Sequence, residues 1–207
     1  MEWQVAPPNL LRHSIFDNRF AGGGFFSFVL WAFGAWHFFG DGGVGSNYGF
    51  CMKSFETFKE ISVGGLSQEQ LMQRLVSAGI QFNKYADVLF GHSAFVPSAQ
   101  AQTVRLVKVS LVDFGFNNPC SYQEFVGQAL ASGLRLCPLY LGAFLRLSFL
   151  EQPVGPYLTI ASALPEADEN FPKGFYIRNH ENSLWLRGYV ADDFCEWPQD
   201  NEFIFLK

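Results

Sequence analysis

The first 51 residues of this 207-residue chain differ sharply in composition from the rest. They contain nine of the 24 Phe and nine of the 20 Gly, and no formal charge occurs from Phe20 to Gly40. Beyond Met52 the composition returns to that of an ordinary globular protein. We therefore expect one domain with its hydrophobic core within residues 52–207, and a separate Phe/Gly-rich leader over residues 1–51.

Three interpretations of the leader stay open. Its apolar centre, residues 25–39, is a candidate membrane anchor, with Arg12 and Arg19 before it and Asp41 after it. This centre is shorter than the roughly 20 residues that a membrane-spanning helix needs, and glycines interrupt the uncharged run around it. The other two interpretations are a soluble extension and an upstream start codon ahead of a native start at Met52.

Charge is also unevenly distributed along the chain. The net charge is −5, and residues 151–207 carry ten acidic and four basic residues, so this part alone contributes −6. Such a surface repels phosphate backbones, which disfavours direct nucleic-acid binding. The four cysteines are too widely spaced for a zinc or redox motif, so we expect reduced thiols in the cytoplasm, no metal and no cofactor. Membrane association is the alternative, and it applies only if residues 25–39 form an anchor.

Two capping boxes mark the clearest helices. Ser67 with Gln70, and Ser121 with Glu124, have the spacing at which each side chain bonds the backbone N–H of the other residue. The predicted helices cover residues 66–79, 83–90 and 121–133. Their core-facing positions are expected to include Leu71, Met72, Leu75, Val76, Phe125, Val126, Ala129 and Leu130. Residues 139–149 favour a helix, although alternating apolar residues also fit a strand.

Most of the predicted strands come later in the chain. They cover residues 103–110, 134–137, 157–162, 174–179, 183–190 and 202–207. His180, Glu181 and Asn182 are expected to form a hairpin turn between two of these strands. Helices first and antiparallel strands last indicate an α+β fold, with two to four helices packed on a mainly antiparallel sheet that ends in a C-terminal β-meander.

Short segments of this domain resemble a family of small uncharacterised bacterial proteins. The matching segments are Ser54–Lys59, Leu134–Pro138, Leu145–Leu147, Glu151–Pro153, Leu184–Tyr189 and Phe203–Phe205. The resemblance covers about residues 54–207 and leaves out the leader, which favours a native start near Met52. It implies a bacterial accessory protein and carries no activity, cofactor or catalytic residue with it.

Catalytic spacing is hard to find in this sequence. His92 follows a predicted helix in a loop, where a histidine is more often solvated than catalytic. His180 would need Asp192 and Asp193 beside it to form a metal-assisted hydrolase, which is the alternative function that we consider. Cys137 lies between two apolar residues, so a buried structural thiol is favoured over a nucleophile.

Arg146 is unusual because it lies within an otherwise apolar segment, where an unpaired guanidinium is costly. Three explanations compete. Its head could extend to the surface from a helix, it could pair with Glu151, or it could bind an anionic ligand.

The most suggestive surface chemistry is aromatic and arginine-rich. Trp185, Arg187 and Tyr189 share one face of a predicted strand because their spacing is two. With Trp197 they have the composition of an interaction hot spot, unless this face packs on the helices. The predicted binding residues are Arg146, Trp185, Arg187, Tyr189, Asp192, Asp193 and Trp197. The leading hypothesis is a non-enzymatic protein-interaction module that uses this face and an acidic rim, with a metal-assisted hydrolase or a membrane-anchored protein as alternatives.

Overall fold

The computed structural model describes residues 54–191 and 196–207. Its α-helices are α1 Gln68–Ser77, α2 Lys84–Phe90, α3 Tyr122–Ala131 and α4 Leu141–Ser148, with a 3₁₀ turn at Val112–Phe114. Its strands are β1 Lys59–Val63, β2 Gln81–Phe82, β3 Gln102–Ser110, β4 Cys120–Ser121, β5 Leu158–Ile160, β6 Gly174–His180, β7 Ser183–Tyr189, β8 Glu196–Trp197 and β9 Glu202–Leu206. The predicted leader, its candidate anchor at residues 25–39 and the boundary at Met52 lie outside the described residues. Within the described ranges, no helix is long and apolar enough to cross a membrane.

Seven of the strands form one sheet in the order β1-β3-β9-β5-β6-β7-β2, and β4 pairs with β8 in a small second sheet. All neighbours in the large sheet are antiparallel except β5 with β9 and β2 with β7. The α+β prediction is confirmed. Consecutive strands β5, β6 and β7 form the expected meander, but β9 leaves it and inserts between β3 and β5. This central position suits β9 because Phe203, Ile204 and Phe205 are all buried, as expected of a strand that is covered on both faces.

Both predicted capping boxes are present. The Ser67 Oγ accepts from the backbone N–H of Gln70 at 3.2 Å, and the Gln70 side chain accepts in return from the Ser67 backbone N–H at 3.0 Å. The same exchange between Ser121 and Glu124 opens α3 at 3.3 and 3.0 Å. The prediction that Val76 and Leu130 face the core is wrong, since they are 64% and 43% exposed. Each helix buries only a narrow stripe of its surface.

Residues 139–149 contain helix α4, as favoured, whereas residues 134–137 do not form the predicted strand. Only two isolated bridges occur there, one from Arg135 to Leu206 and one from Cys137 to Ser162. Strands β1 and β2 are absent from the sequence prediction. Both lie at the edges of the sheet, where few buried apolar residues mark a strand.

The sheet has a separate hydrophobic core on each face. Helices α1, α2 and α4 cover one face, where they pack on alternate strand residues such as Leu106, Ile177 and Ile204. Helix α3 and the small β4–β8 sheet contribute to the other core, which contains Phe203 and Phe205. Because side chains of a strand alternate between faces, β9 supplies both cores.

Candidate functional site

The β6–β7 hairpin positions the candidate site. Glu181 and Asn182 have φ values of 51° and 61°, which is the left-handed pair that a two-residue type I′ turn requires. The turn fixes the register, so that Tyr176 lies opposite Arg187 and Arg178 lies opposite Trp185. The even spacing along each strand places all four side chains on the same face of the sheet. We call these four residues, together with Tyr157, the arginine–aromatic face.

Two rings of this face contact the Arg187 guanidinium. The Arg187 guanidinium carbon lies 5.0 Å from the centre of the Trp185 ring and 6.0 Å from that of Tyr176. The Tyr157 and Tyr176 rings meet edge to face, with their centres 5.4 Å apart. A cation held against an aromatic ring is stabilised by about 0.5–1 kcal/mol at an exposed site. The rings therefore help to hold Arg187 in a defined position.

The polar groups of the face are incompletely satisfied. The Nε atoms of Arg178 and Arg187 and the indole Nε1 of Trp185 are shielded from solvent and have no hydrogen-bond partner in residues 54–191 and 196–207. Within the described part of the chain, no carboxylate lies within ion-pair distance of either guanidinium. Strands β6 and β7 themselves contain no acidic residue. Among the described residues, the face therefore presents two positive charges without a compensating negative charge.

Tyr176 lies beneath this arrangement and is only 4% exposed. Burial raises the pKa of its hydroxyl, while the positive charges of Arg187 and Arg178 act in the opposite direction. Both guanidiniums are therefore close enough to influence the same phenol. This agrees with the hairpin register in placing the two arginines at one site.

Helix α2 holds β7 from the opposite side of the sheet. The Asn83 side chain accepts from the Gly188 backbone N–H and donates to the Gly188 carbonyl, each at 2.9 Å. It also caps α2 by accepting from the Ala86 N–H at 3.0 Å. A Cβ at Gly188 would lie 2.7 Å from the carbonyl carbon of Tyr85, so only glycine allows this approach. One asparagine thus fixes both the helix start and the strand that carries Trp185 and Arg187.

The predicted aromatic surface divides into two parts. Trp185 and Arg187 lie on the arginine–aromatic face, as described. Tyr189 and Trp197 are each only 8% exposed, and they belong to the second core, where their ring centres lie 5.6 Å apart. Trp197 also packs against Phe203, at a centre distance of 5.2 Å. These two residues position the sheet and do not present a surface.

Sequence reasoning missed Tyr176 and Arg178. Their spacing of two on a predicted strand was visible, as it was for Trp185 and Arg187. The register of the hairpin, which brings this pair next to Trp185 and Arg187, was not predicted from the sequence. The same rule of alternation, applied to both strands with a two-residue turn between them, would have found the complete face.

Arg146 is neither a surface residue nor an anion site. Its side chain is fully buried, its Nη1 donates to Gln152 Oε1 at 2.5 Å, and its Nη2 donates to the Phe149 carbonyl. Burial lowers its pKa to about 10, and the nearby negative charge of Glu151 opposes that shift. Glu151, the partner expected from the sequence, forms its ion pair with Lys59 at 2.7 Å. The role of Arg146 is therefore to join the end of α4 to the segment that follows it.

The catalytic candidates do not converge in the described residues. The only carboxylate near His180 is that of Glu181, at 3.9 Å, and Asp192 and Asp193 lie outside the described residues. No cluster of three metal-ligating side chains occurs within residues 54–191 and 196–207. His92 accepts from the Ala94 N–H at Nδ1 and lies 2.9 Å from Glu166 through Nε2, so both its ring nitrogens are engaged.

Cys137 is a buried structural thiol. Its Sγ lies 3.5 Å from the Ile204 carbonyl, and burial raises its pKa well above the ordinary value. A thiol in this setting stays protonated near neutral pH, and a protonated thiol is a poor nucleophile.

A small cavity of about 30 Å³ lies close to the second core. It is lined by Tyr122, Gln123, Leu164, Lys173, Tyr189, Ala191 and Trp197. Lys173 is 4% exposed and donates to the Asp168 carbonyl at 2.9 Å, whereas the Trp197 Nε1 has no hydrogen-bond partner among the described residues. The volume has room for about two or three water molecules, so the cavity suits structural water rather than a substrate.

Comparison with known proteins finds no matching family model, curated protein or solved structure. The resemblance to small bacterial proteins therefore stays a prediction.

Proposed function

We propose that this domain is a non-enzymatic protein-interaction module, an accessory protein that recognises its partner through the arginine–aromatic face. The observation that carries the proposal is the pair of guanidiniums on this face, with no carboxylate within ion-pair distance in the described residues. Arg, Trp and Tyr are the residues that most often dominate the free energy of protein–protein binding.

The rigidity of the face also supports recognition. The hairpin register, the ring contacts of Arg187 and the clamp from Asn83 to Gly188 all restrict the side chains before any partner arrives. Binding costs less free energy when the groups that make contact are already ordered.

We further propose a cytoplasmic location. Cys120 and Cys137 are both buried free thiols, which is the state that a reducing compartment maintains. An acidic rim near the C-terminus, which includes the exposed Glu196 and Asp200, would orient a partner that carries basic groups beside its binding segment. Asp192 and Asp193, predicted for the same rim, lie outside the described residues.

An affinity capture with the full-length chain as bait tests the proposal. We expect Arg187→Glu and Trp185→Ala each to lose the same partner, because the first reverses a charge of the face and the second removes its half-buried indole ring. Arg74→Glu on α1 and Leu130→Ala on α3 are matched controls, since they make similar changes at exposed positions elsewhere. Circular dichroism of each variant checks that it folds. If both face variants retain every partner that the native chain captures, the proposal is wrong.

A further inference from the structure

We propose that the arginine–aromatic face binds an extended acidic peptide segment with two carboxylates separated by one residue, as in Glu-x-Glu. This inference rests on the proposed function and names the chemistry of the partner at that site. It follows from three features of the face: the sign of its charge, the nitrogens that remain free, and the distance between the two arginines.

The charge of the hairpin favours an anionic partner. Arg178 and Arg187 are the only charged side chains on β6 and β7, apart from any charge on His180 at the turn. A guanidinium held beside an aromatic ring is already partly desolvated, so a carboxylate that covers it would offset that cost with charge-assisted hydrogen bonds.

The free nitrogens determine the direction of approach. Both Nε atoms are shielded by the protein and have no hydrogen-bond partner within the described residues. A carboxylate would therefore meet each guanidinium end-on, through its two terminal nitrogens. The two terminal nitrogens of a guanidinium can donate parallel hydrogen bonds to the two oxygens of one carboxylate, and an ammonium group cannot reproduce this forked geometry.

The spacing selects an extended peptide. Since Tyr176 pairs with Arg187 and Arg178 pairs with Trp185, the two arginines are diagonal neighbours across the hairpin. Diagonal side chains on one face of an antiparallel pair lie about 7–8 Å apart. In an extended chain, residues i and i+2 share a face and are separated by about 6.6–6.8 Å. Two acidic residues with one residue between them therefore match the two arginines, and the middle side chain points away.

A single-stranded nucleic acid is the competing ligand, because bases can stack on exposed rings and phosphates can pair with arginines. The chain disfavours it, since residues 151–207 carry a net charge of −6 that would repel a phosphate backbone extending beyond the face. A short acidic peptide segment needs only the two arginines. We therefore assign the site to a peptide and include an oligonucleotide in the test.

Fluorescence anisotropy with labelled synthetic peptides tests the inference on the full-length chain. The probe is a flexible peptide with a central Glu-Val-Glu, and the controls place the same residues as Glu-Glu-Val or replace both Glu by Gln. We expect the Glu-Val-Glu probe to bind at least about tenfold more tightly than either control, and to weaken as salt rises from about 0.05 to about 0.5 M.

Variants of the two arginines complete the design. Arg178→Gln and Arg187→Gln should each weaken the probe by about tenfold, and Arg187→Lys should weaken it less than Arg187→Gln because it keeps the charge without the fork. Arg74→Gln is the matched control and should change nothing. Circular dichroism again checks that every variant folds.

The outcomes separate this inference from the proposed function. Equal binding of the Glu and Gln peptides, or equal binding of the two Glu spacings, would overturn the acidic-pair assignment. So would tighter binding of a single-stranded oligonucleotide. If no peptide binds while a captured partner still depends on Arg187 and Trp185, the inference fails and the interaction module stands. If no captured partner depends on either residue, the proposed function fails as well.

Discussion

Replacing Arg146 by methionine tests whether its buried guanidinium fastens the end of α4 to the following segment. Methionine keeps an unbranched apolar stem in the fully buried position but offers no hydrogen-bond donor. The Gln152 Oε1 and the Phe149 carbonyl, which accept from Arg146, would each lose a charged donor. We therefore expect the variant to be less stable than the native chain.

The size of the effect follows from opposing contributions. A hydrogen bond from a charged donor contributes about 1.5–3 kcal/mol, so losing two costs about 3–6 kcal/mol. The substitution also removes the Nε, which has no hydrogen-bond partner in the described part of the chain. Leaving such a buried group unsatisfied costs about 1–3 kcal/mol. The lowered pKa of Arg146, about 10, shows that burial already disfavours its charge. The net loss in the free energy of unfolding should be about 2–3 kcal/mol.

Urea unfolding of the full-length chain, monitored by tryptophan fluorescence, measures this difference in the free energy of unfolding. The slope of that free energy against urea concentration should be the same for both chains. A double-mutant cycle with Gln152→Leu isolates the pair, because removing both partners should cost less than the sum of the single changes, by about 1–2 kcal/mol. Arg74→Met is the control at an exposed helical arginine, and it should lie within about 0.5 kcal/mol of the native chain.

Two results would refute the reasoning about Arg146. One is an Arg146→Met variant as stable as the native chain, which would show that the desolvation of the charge cancels both hydrogen bonds. The other is a cycle that is additive within about 0.5 kcal/mol, which would show that Arg146 and Gln152 act independently.

Three further predictions concern stability. Gly188→Ala should lower the free energy of unfolding in urea by more than about 2 kcal/mol, because the new Cβ would lie 2.7 Å from the Tyr85 backbone. Its control, Gly127→Ala at an open helical position, should be neutral or stabilising. Ser121→Ala should cost about 1 kcal/mol in the same assay by removing the α3 cap, and an unchanged midpoint would contradict that role. Burial raises the pKa of Cys137 and of Tyr122, so the unfolded chain loses these protons at a lower pH than the folded chain does. The contribution of these groups to stability should be fully present below about pH 8.5 and should fall as the pH rises above it. Cys137→Ala should therefore make the urea midpoint depend less on pH just above about 8.5.

Local signals in the sequence predict the helices and the hairpin well. Ser67 and Ser121 have both the side chain and the downstream partner of a capping box, and each box forms as expected. Residues 180–182 separate two apolar runs, and the turn forms there with Asn182 in the left-handed region that asparagine tolerates. These features depend on residues a few positions apart, which is why a single sequence suffices to find them.

Non-local pairing could not be predicted in the same way. The residues Glu202–Leu206 alone do not determine that this strand pairs with β3 and β5, because the pairing depends on the other elements of the sheet. The short strand β2 is similarly defined by its pairing with β7 rather than by its own two residues. The sequence marks Arg146 as unusual, but its partner depends on how the chain turns after α4, which brings Gln152 and not Glu151 to it.

The central place of β9 has a consequence for the order in which the domain can be built during synthesis. Strands β3 and β5 are synthesised before β9, and β9, which separates and joins them, is made after every other strand of the sheet. Until then both strands have open edges that another nascent chain could pair with. Completion of the sheet must wait for residues 202–206, so a truncation that removes them should leave an aggregation-prone chain rather than a smaller folded domain.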